Sequence, residues 1–354
     1  MTTKLCFSLL LLSLSVSADD LETADFSLRF PTALSHFSPF GDVSGKGGTG
    51  AASISGAALN PAALSWHFQD NPITHPKFKD PTYLVTGQYN GLSFDAGQQI
   101  DFFTQAVVLD LADAGVLRFS FANATSNDDA LIRGFPVTFD LDLTGGRLDW
   151  ALKLHDDLRF GLGGSYSQSE TTFSAPSFDA IHTDREYWSL RSGLVASVHE
   201  EDKVLLGVVA DFGQGRNDTL EQLPDPATGQ LLRQREMETV NQFLIRPGVA
   251  RSLDKHNTSW AHLDYEFSHI SSPSGTLNSH RFLLGADYLL FDLFHVRGGV
   301  FADARGNAGW SGALGFHFPN NMHIDLAYQA NAFPEVSQEF GRAQTINVSV
   351  AFQW

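Results

Sequence analysis

The last ten residues limit what this chain can fold into more than any other stretch. Ile346, Val348, Val350, Phe352 and Trp354 take every second position, with Thr345, Asn347, Ser349, Ala351 and Gln353 between them. Side chains alternate faces along a β-strand, so the first set forms one uncharged apolar face and the second a face suited to water. That division suits the wall of a transmembrane β-barrel, apolar toward lipid and polar toward the bore. A strand in a soluble sandwich alternates as well, so the choice rests on how far the pattern repeats.

It repeats from Tyr83 onward. Met322, Ile324, Leu326 and Tyr328 make one stripe. Phe282, Leu284, Tyr288 and Leu290 make another, and Leu158, Phe160, Leu162 and Tyr166 a third. Few charges interrupt these stripes, and Arg or Lys at a bilayer midplane costs about 2–4 kcal/mol. The connections alternate in length. Short polar ones fall at 155–157, 200–202, 254–257 and 319–321. Longer ones fall at 173–182, 216–236, 271–278 and 332–341. With short turns on the periplasmic side and long loops outside, the parity closes at about fourteen strands if 135–154 is a single strand.

Within 135–154 the apolar phase changes. Val137, Phe139, Leu141 and Leu143 are odd; Leu148, Trp150, Leu152 and Leu154 are even; Gly145-Gly146 lies between. One extra residue in a strand exchanges its faces, so a β-bulge at Gly145 and Gly146 is expected. A Gly-Gly hairpin is the rival and would give an odd strand count, which bacterial single-chain barrels avoid. Charges expected to face the bore are Asp140, Asp142, Arg246, Asp264, Glu266, Arg281, Asp287, Arg297 and Asp325.

Residues 1–18 read as a secretory signal peptide. Lys4 is followed by an apolar run from Leu5 to Leu14 and by Val16-Ser17-Ala18 before two aspartates. The run is shorter than the roughly 20 residues of a membrane-spanning helix. The single cysteine, Cys6, lies in this signal, so the mature chain offers no disulfide, thiolate ligand or thiol nucleophile. The net charge of -17 argues against nucleic acid as a partner, since phosphate binding needs a basic face. No cofactor is expected. The outer membrane of a Gram-negative bacterium is the expected location, reached by export through the cleaved signal, with 82–354 forming the barrel.

Residues 19–81 do not read as wall. They carry Pro31, Pro39, Pro61, Pro72, Pro76 and Pro81, which strands tolerate poorly, and the run Gly45-Lys46-Gly47-Gly48-Thr49-Gly50-Ala51-Ala52. Asn60 can cap a short helix with Pro61 at its first position. The segment is a disordered leader or a unit folded inside the barrel, and Ile54, Leu59, Leu64, Trp66 and Phe68 favour the folded form. Gly45–Gly50 fits the dinucleotide pattern G-x-G-x-x-G, yet no βαβ unit surrounds it, so it reads as closely packed backbone. His262 and His269 are an odd number apart and face opposite sides of a strand, as do Ser268 and His269. Neither pair makes a metal site or a nucleophile–base couple.

At this segment the chain resembles the FadL/TodX-type outer-membrane transporters of hydrophobic compounds. The matching residues are Gly47, Gly48, Gly50 and the small residues after them, then Asn60, Pro61 and Ala62. The resemblance implies an all-β fold, a transmembrane antiparallel β-barrel of about fourteen strands, with 19–81 as a plug inside the lumen. It implies a non-enzymatic channel that captures a hydrophobic small molecule, fatty-acid-like or aromatic, in its outer loops and releases it through a shift of the plug or a gap at a bulged strand. The bilayer and that ligand are the expected partners, together with the barrel-assembly machinery, engaged through the final strand ending at Trp354. A platform for assembly or secretion of exported proteins, a general porin and an outer-membrane lipid hydrolase are the alternatives.

Overall fold

The computed structural model describes residues 46, 48–52, 59–65, 83–95, 97–132, 135–175, 178–199, 203–224, 231–255, 258–273, 275–291, 293–304, 306–318, 322–332 and 342–353. The signal, Gly47 and Trp354 lie outside them. The strands are β1 (Tyr83–Phe94), β2 (Gln99–Asp110), β3 (Val116–Ile132), β4 (Phe135–His155), β5 (Leu158–Ala175), β6 (Phe178–His199) and β7 (Val204–Pro224). They continue with β8 (Leu231–Ser252), β9 (Trp260–Ser272), β10 (Gly275–Leu290), β11 (Phe294–Asp303), β12 (Ala308–His317), β13 (Met322–Ala330) and β14 (Ala343–Gln353). Each pairs antiparallel with its sequence neighbours, and β1 also pairs with β14, so the sheet closes into a fourteen-strand barrel with no free edge.

The alternation places large apolar residues outside. Ile346 is 52% exposed and Phe352 40%, whereas Thr345, Asn347, Ser349 and Ala351 are each 1% exposed, facing the bore. Leu190, Leu263, Phe282, Val300 and Leu314 share the outer face, and Trp310 lies 5.4 Å from Tyr328 and Trp188 5.5 Å from Phe212 there. A continuous apolar belt of this size is unfavourable in water and suits hydrocarbon. Leu326, half exposed at the centre of the nine-residue β13, lies near the middle of that belt. Leu326→Lys is expected to cost about 2–4 kcal/mol of folding free energy in bilayers. Met237→Lys, on the part of β8 beyond the belt, is expected to stay within about 0.5 kcal/mol. Denaturant titration of the lipid-inserted barrel measures both.

The wall is uneven in height. β4 to β8 run 18 to 22 residues, and β11 to β13 only 9 or 10. The extra length rises at one end, and three loop expectations are corrected. Residues 173–182, 216–236 and 271–278 are largely ladder, with β5 and β6 paired as far as Ala175↔Phe178, β7 and β8 as far as Pro224↔Leu231, and β9 and β10 as far as Ser272↔Gly275. Their polar content reads as loop, but outside a bilayer both faces of a ladder can be wet. Thr183 and Thr219 share a hydroxyl hydrogen bond, and Arg235 Nε donates to Asp218 at 2.8 Å. That hydrogen bond holds the Asp218 carboxyl below the usual carboxylate range.

β4 is one strand, as the parity required, but the expected bulge at Gly145 and Gly146 is absent. Both glycines pair in unbroken register with Ala122 and Phe121 on one side and with Ser167 and Tyr166 on the other. The register shifts instead between Lys153 and His155. Odd residues of β4 face the bore along its described length: Phe139, Leu141 and Leu143 are buried inside, and Leu148 and Leu154 point outward. The apolar face changes sides because the surroundings change with height. Beyond the belt the outer face of β4 meets water and its inner face joins an apolar cluster, so Asp140 and Asp142 face outward, not into the bore as expected.

Candidate functional site

At the end with short turns, the bore is occupied by the described part of 46–65. Asn60 starts it as a cap: its side-chain oxygen accepts from the Ala62 N–H at 3.0 Å, and one helical turn begins at Ala63. Its amide Nδ2 donates to the Ala51 carbonyl at 2.6 Å and to the Leu194 carbonyl of β6 at 3.1 Å. One side chain thus ties the two described stretches together and to the wall.

The wall answers with charge and with glycine. One oxygen of Asp264 on β9 accepts from the N–H groups of Gly50 and Ala51, at 2.8 and 2.9 Å. Arg246 on β8 donates to the Gly48 carbonyl at 2.8 Å and pairs with Glu266, while Arg191 on β6 reaches the Leu59 carbonyl and pairs with Asp211. These contacts satisfy backbone groups that water cannot reach. Between them the wall carries no side chain. A Cβ on Gly207 would fall on the Ala51 carbonyl, one on Gly193 on the Asn60 side chain, and one on Gly161 on the Pro61–Ala62 peptide. Apolar packing completes the seat: Ala63 and Leu64 against Leu84, Val108, Val116, Ala151 and Ala351, and Ala52 against Leu205, Ala250 and Trp260.

At the other end β1 to β4 give the inner wall an apolar surface. Leu92 and Phe94 of β1, Ile100 and Phe102 of β2, Ala124 of β3, and Phe139, Leu141 and Leu143 of β4 form one cluster with Ala332 and Ala343. Phe173 packs on it, with its ring 5.0 Å from Phe139. Facing inward on strands whose outer face is polar at this height, these side chains give the bore an apolar surface of the kind that holds a hydrophobic solute.

The motif residues therefore meet in one place. Gly48 (φ +82°), Gly50, Asn60, Pro61 and Ala62 all lie against the wall, in the closely packed backbone their composition suggests. Gly145 and Gly146 are not part of it. Of the charges expected inside, Arg246, Asp264, Glu266, Asp287, Arg297 and Asp325 are buried on the bore side. Ser268 is buried in the bore, whereas His269 lies on the outer face with its Nδ1 2.8 Å from the Asn278 side-chain oxygen. The Asp264 carboxylate beside His262 is engaged by Gly50 and Ala51. The sequence did not disclose the wall's grip. Asp264 reads as one bore charge among several, and Gly161, Gly193 and Gly207 carry no local signal, because each is defined by a segment more than ninety residues earlier.

No protein-family model matches the chain, and no curated protein matches it in sequence. Solved structures do. The toluene transporter TodX of Pseudomonas putida superposes with a TM-score of 0.56 at 13% identity, covering 88% of this chain and 96% of that one. The fold is the FadL/TodX-type barrel. The toluene transporter TbuX of Ralstonia pickettii superposes at 0.57 and 13% identity, covering 90% of this chain and 97% of that one. A Pseudomonas aeruginosa FadL homologue does so at 0.55 and 13% identity, over 88% and 97%. What is shared at this identity is the FadL/TodX architecture.

Proposed function

We propose that this chain is an outer-membrane channel of the FadL/TodX type that takes up hydrophobic small molecules, with 19–81 as its plug. The apolar cluster inside the bore carries the reading: a greasy solute gains little from a water-filled pore and needs an apolar surface on its way. The short-turn end is then periplasmic and the tall end extracellular. A ligand, aromatic or fatty-acid-like, reaches the cluster from outside, and the seated segment closes the way onward. The exit is a shift of that segment, or the break in the β8–β9 ladder. There the β8–β9 register passes from Ile245↔Phe267 to Gly248↔Asp264, and Pro247 between them has no N–H to give. Export through a cleaved signal and delivery by the barrel-assembly machinery, through the strand that ends at Trp354, belong to the same reading.

Deletion of 19–81 tests it. In proteoliposomes the shortened barrel is expected to change the uptake of a fluorescent hydrophobic probe severalfold and to admit small ions that the full chain excludes. Unchanged uptake in a folded deletion variant refutes the plug's role.

A further inference from the structure

We propose that the bore-facing surface of β14, β1 and β2 binds an uncharged ligand bearing a hydroxyl or carbonyl next to an apolar body, and selects against a carboxylate. The inference rests on the reading of the bore as a path for hydrophobic compounds and narrows its substrate class. In register, Ser349, Gln88 and Thr104 form one row across these strands, and Asn347, Asn90 and Phe102 the next. Both rows are buried, and they lie directly below the apolar cluster. The amides are linked, Gln88 donating to Asn90 at 3.0 Å and Asn347 to the same oxygen. Among the described residues, the hydroxyls of Thr104, Ser349 and neighbouring Thr86 have no hydrogen-bond partner, at exposures of 8%, 1% and 2%. At the far end of the cluster, Gln98, 1% exposed, has both amide atoms unpartnered among the described residues.

The apolar surface is thus bracketed by buried, neutral donors and acceptors. A buried polar group without a partner is costly, and a bound molecule that supplies one recovers that cost. These rows contain no cation. Elsewhere on the bore wall, Arg118 of β3 and Arg147 of β4 hold Asp149, and Arg297 of β11 holds Asp287 and Asp325. A carboxylate here would lose its hydration with no countercharge to replace it, whereas an alcohol or ketone would be satisfied.

Displacement of an apolar fluorophore from the full-length barrel in detergent tests this, with octan-1-ol, octane and octanoate at pH 8 as competitors. Octan-1-ol is expected to bind about fivefold more tightly than octane and at least about tenfold more tightly than octanoate. The double variant Thr104→Val/Ser349→Ala should erase the gap between alcohol and alkane and leave octane unchanged. Ser268→Ala, which removes an unpartnered hydroxyl elsewhere in the bore, should preserve the gap. Thr86→Val keeps side-chain volume and serves as the second probe if the double variant folds poorly. Octanoate binding as tightly as octan-1-ol overturns the inference. So does a gap that survives in the variants, which would mean that the hydroxyls hold only water. Failure of octane itself to compete overturns the hydrophobic-uptake reading beneath it.

Discussion

The Gly207→Val substitution is expected to unseat the inner segment while leaving the barrel closed. Gly207 lies on the bore side of β7, paired with Gly248 of β8, and a Cβ there has nowhere to go but the Ala51 carbonyl. That carbonyl is itself held by the Asn60 amide, so the clash cannot be relieved by turning one peptide without releasing Asn60. Overpacking of this kind typically costs about 1–3 kcal/mol. From Leu205 onward β7 is fixed by unbroken ladders to β6 and β8, so the segment is the part that yields. Loss of its seat also takes the Gly50 and Ala51 N–H groups from the Asp264 carboxylate and the Gly48 carbonyl from Arg246. In planar bilayers, small-ion conductance should rise at least about tenfold over the parent, the scale set by removing an obstruction worth more than about 1.4 kcal/mol. Heat-modifiable migration on gels should be unchanged. Gly87→Ala is the control: its Cβ meets nothing within 4 Å, and its conductance should match the parent. A Gly207→Val barrel as tight as the parent would mean that the seat is not where the segment is held.

The second large effect is expected from Leu141→Asp. Leu141 faces the bore on β4 in the middle of the outer apolar cluster, 8% exposed, between Phe139 and Leu143. A carboxylate at that position enters the apolar cluster and draws water into it. The strand itself survives, because its ladders to β3 and β5 are backbone bonds independent of the side chain. Uptake of a hydrophobic probe should fall about tenfold or more, with the barrel still folded and still closed to small ions. Asp142→Leu, one residue on and facing outward, should leave uptake near the parent value. Equal loss in both variants would place the ligand path outside the bore.

The barrel was legible because alternation is a local property. Each stripe, from Phe282 and Leu284 to Ile346 and Phe352, states its own two faces, and closure with even parity follows from counting turns. The phase change in β4 was legible as a fact and misread as a cause. A shift of apolar phase has two physical origins, an extra residue or a change of surroundings, and the sequence of 135–155 is the same under either. The lengths of β5 to β8 were hidden for a similar reason. Thr183, Asp218 and Arg235 look like loop residues, but a ladder above the membrane tolerates them on both faces. The Asn60-Pro61-Ala62 motif announced a cap, since a cap is settled within three residues.

Amphipathic strands in a closed array follow from the residues in order, because side-chain alternation and turn spacing are set by neighbours along the chain. Folding into the barrel settled which face of each strand is apolar at a given height, and where the described parts of 46–65 are held. It also decided that Asp264 and three glycines on separate strands form its seat. Those outcomes depend on groups far apart in sequence arriving at one wall, and no local pattern encodes that meeting.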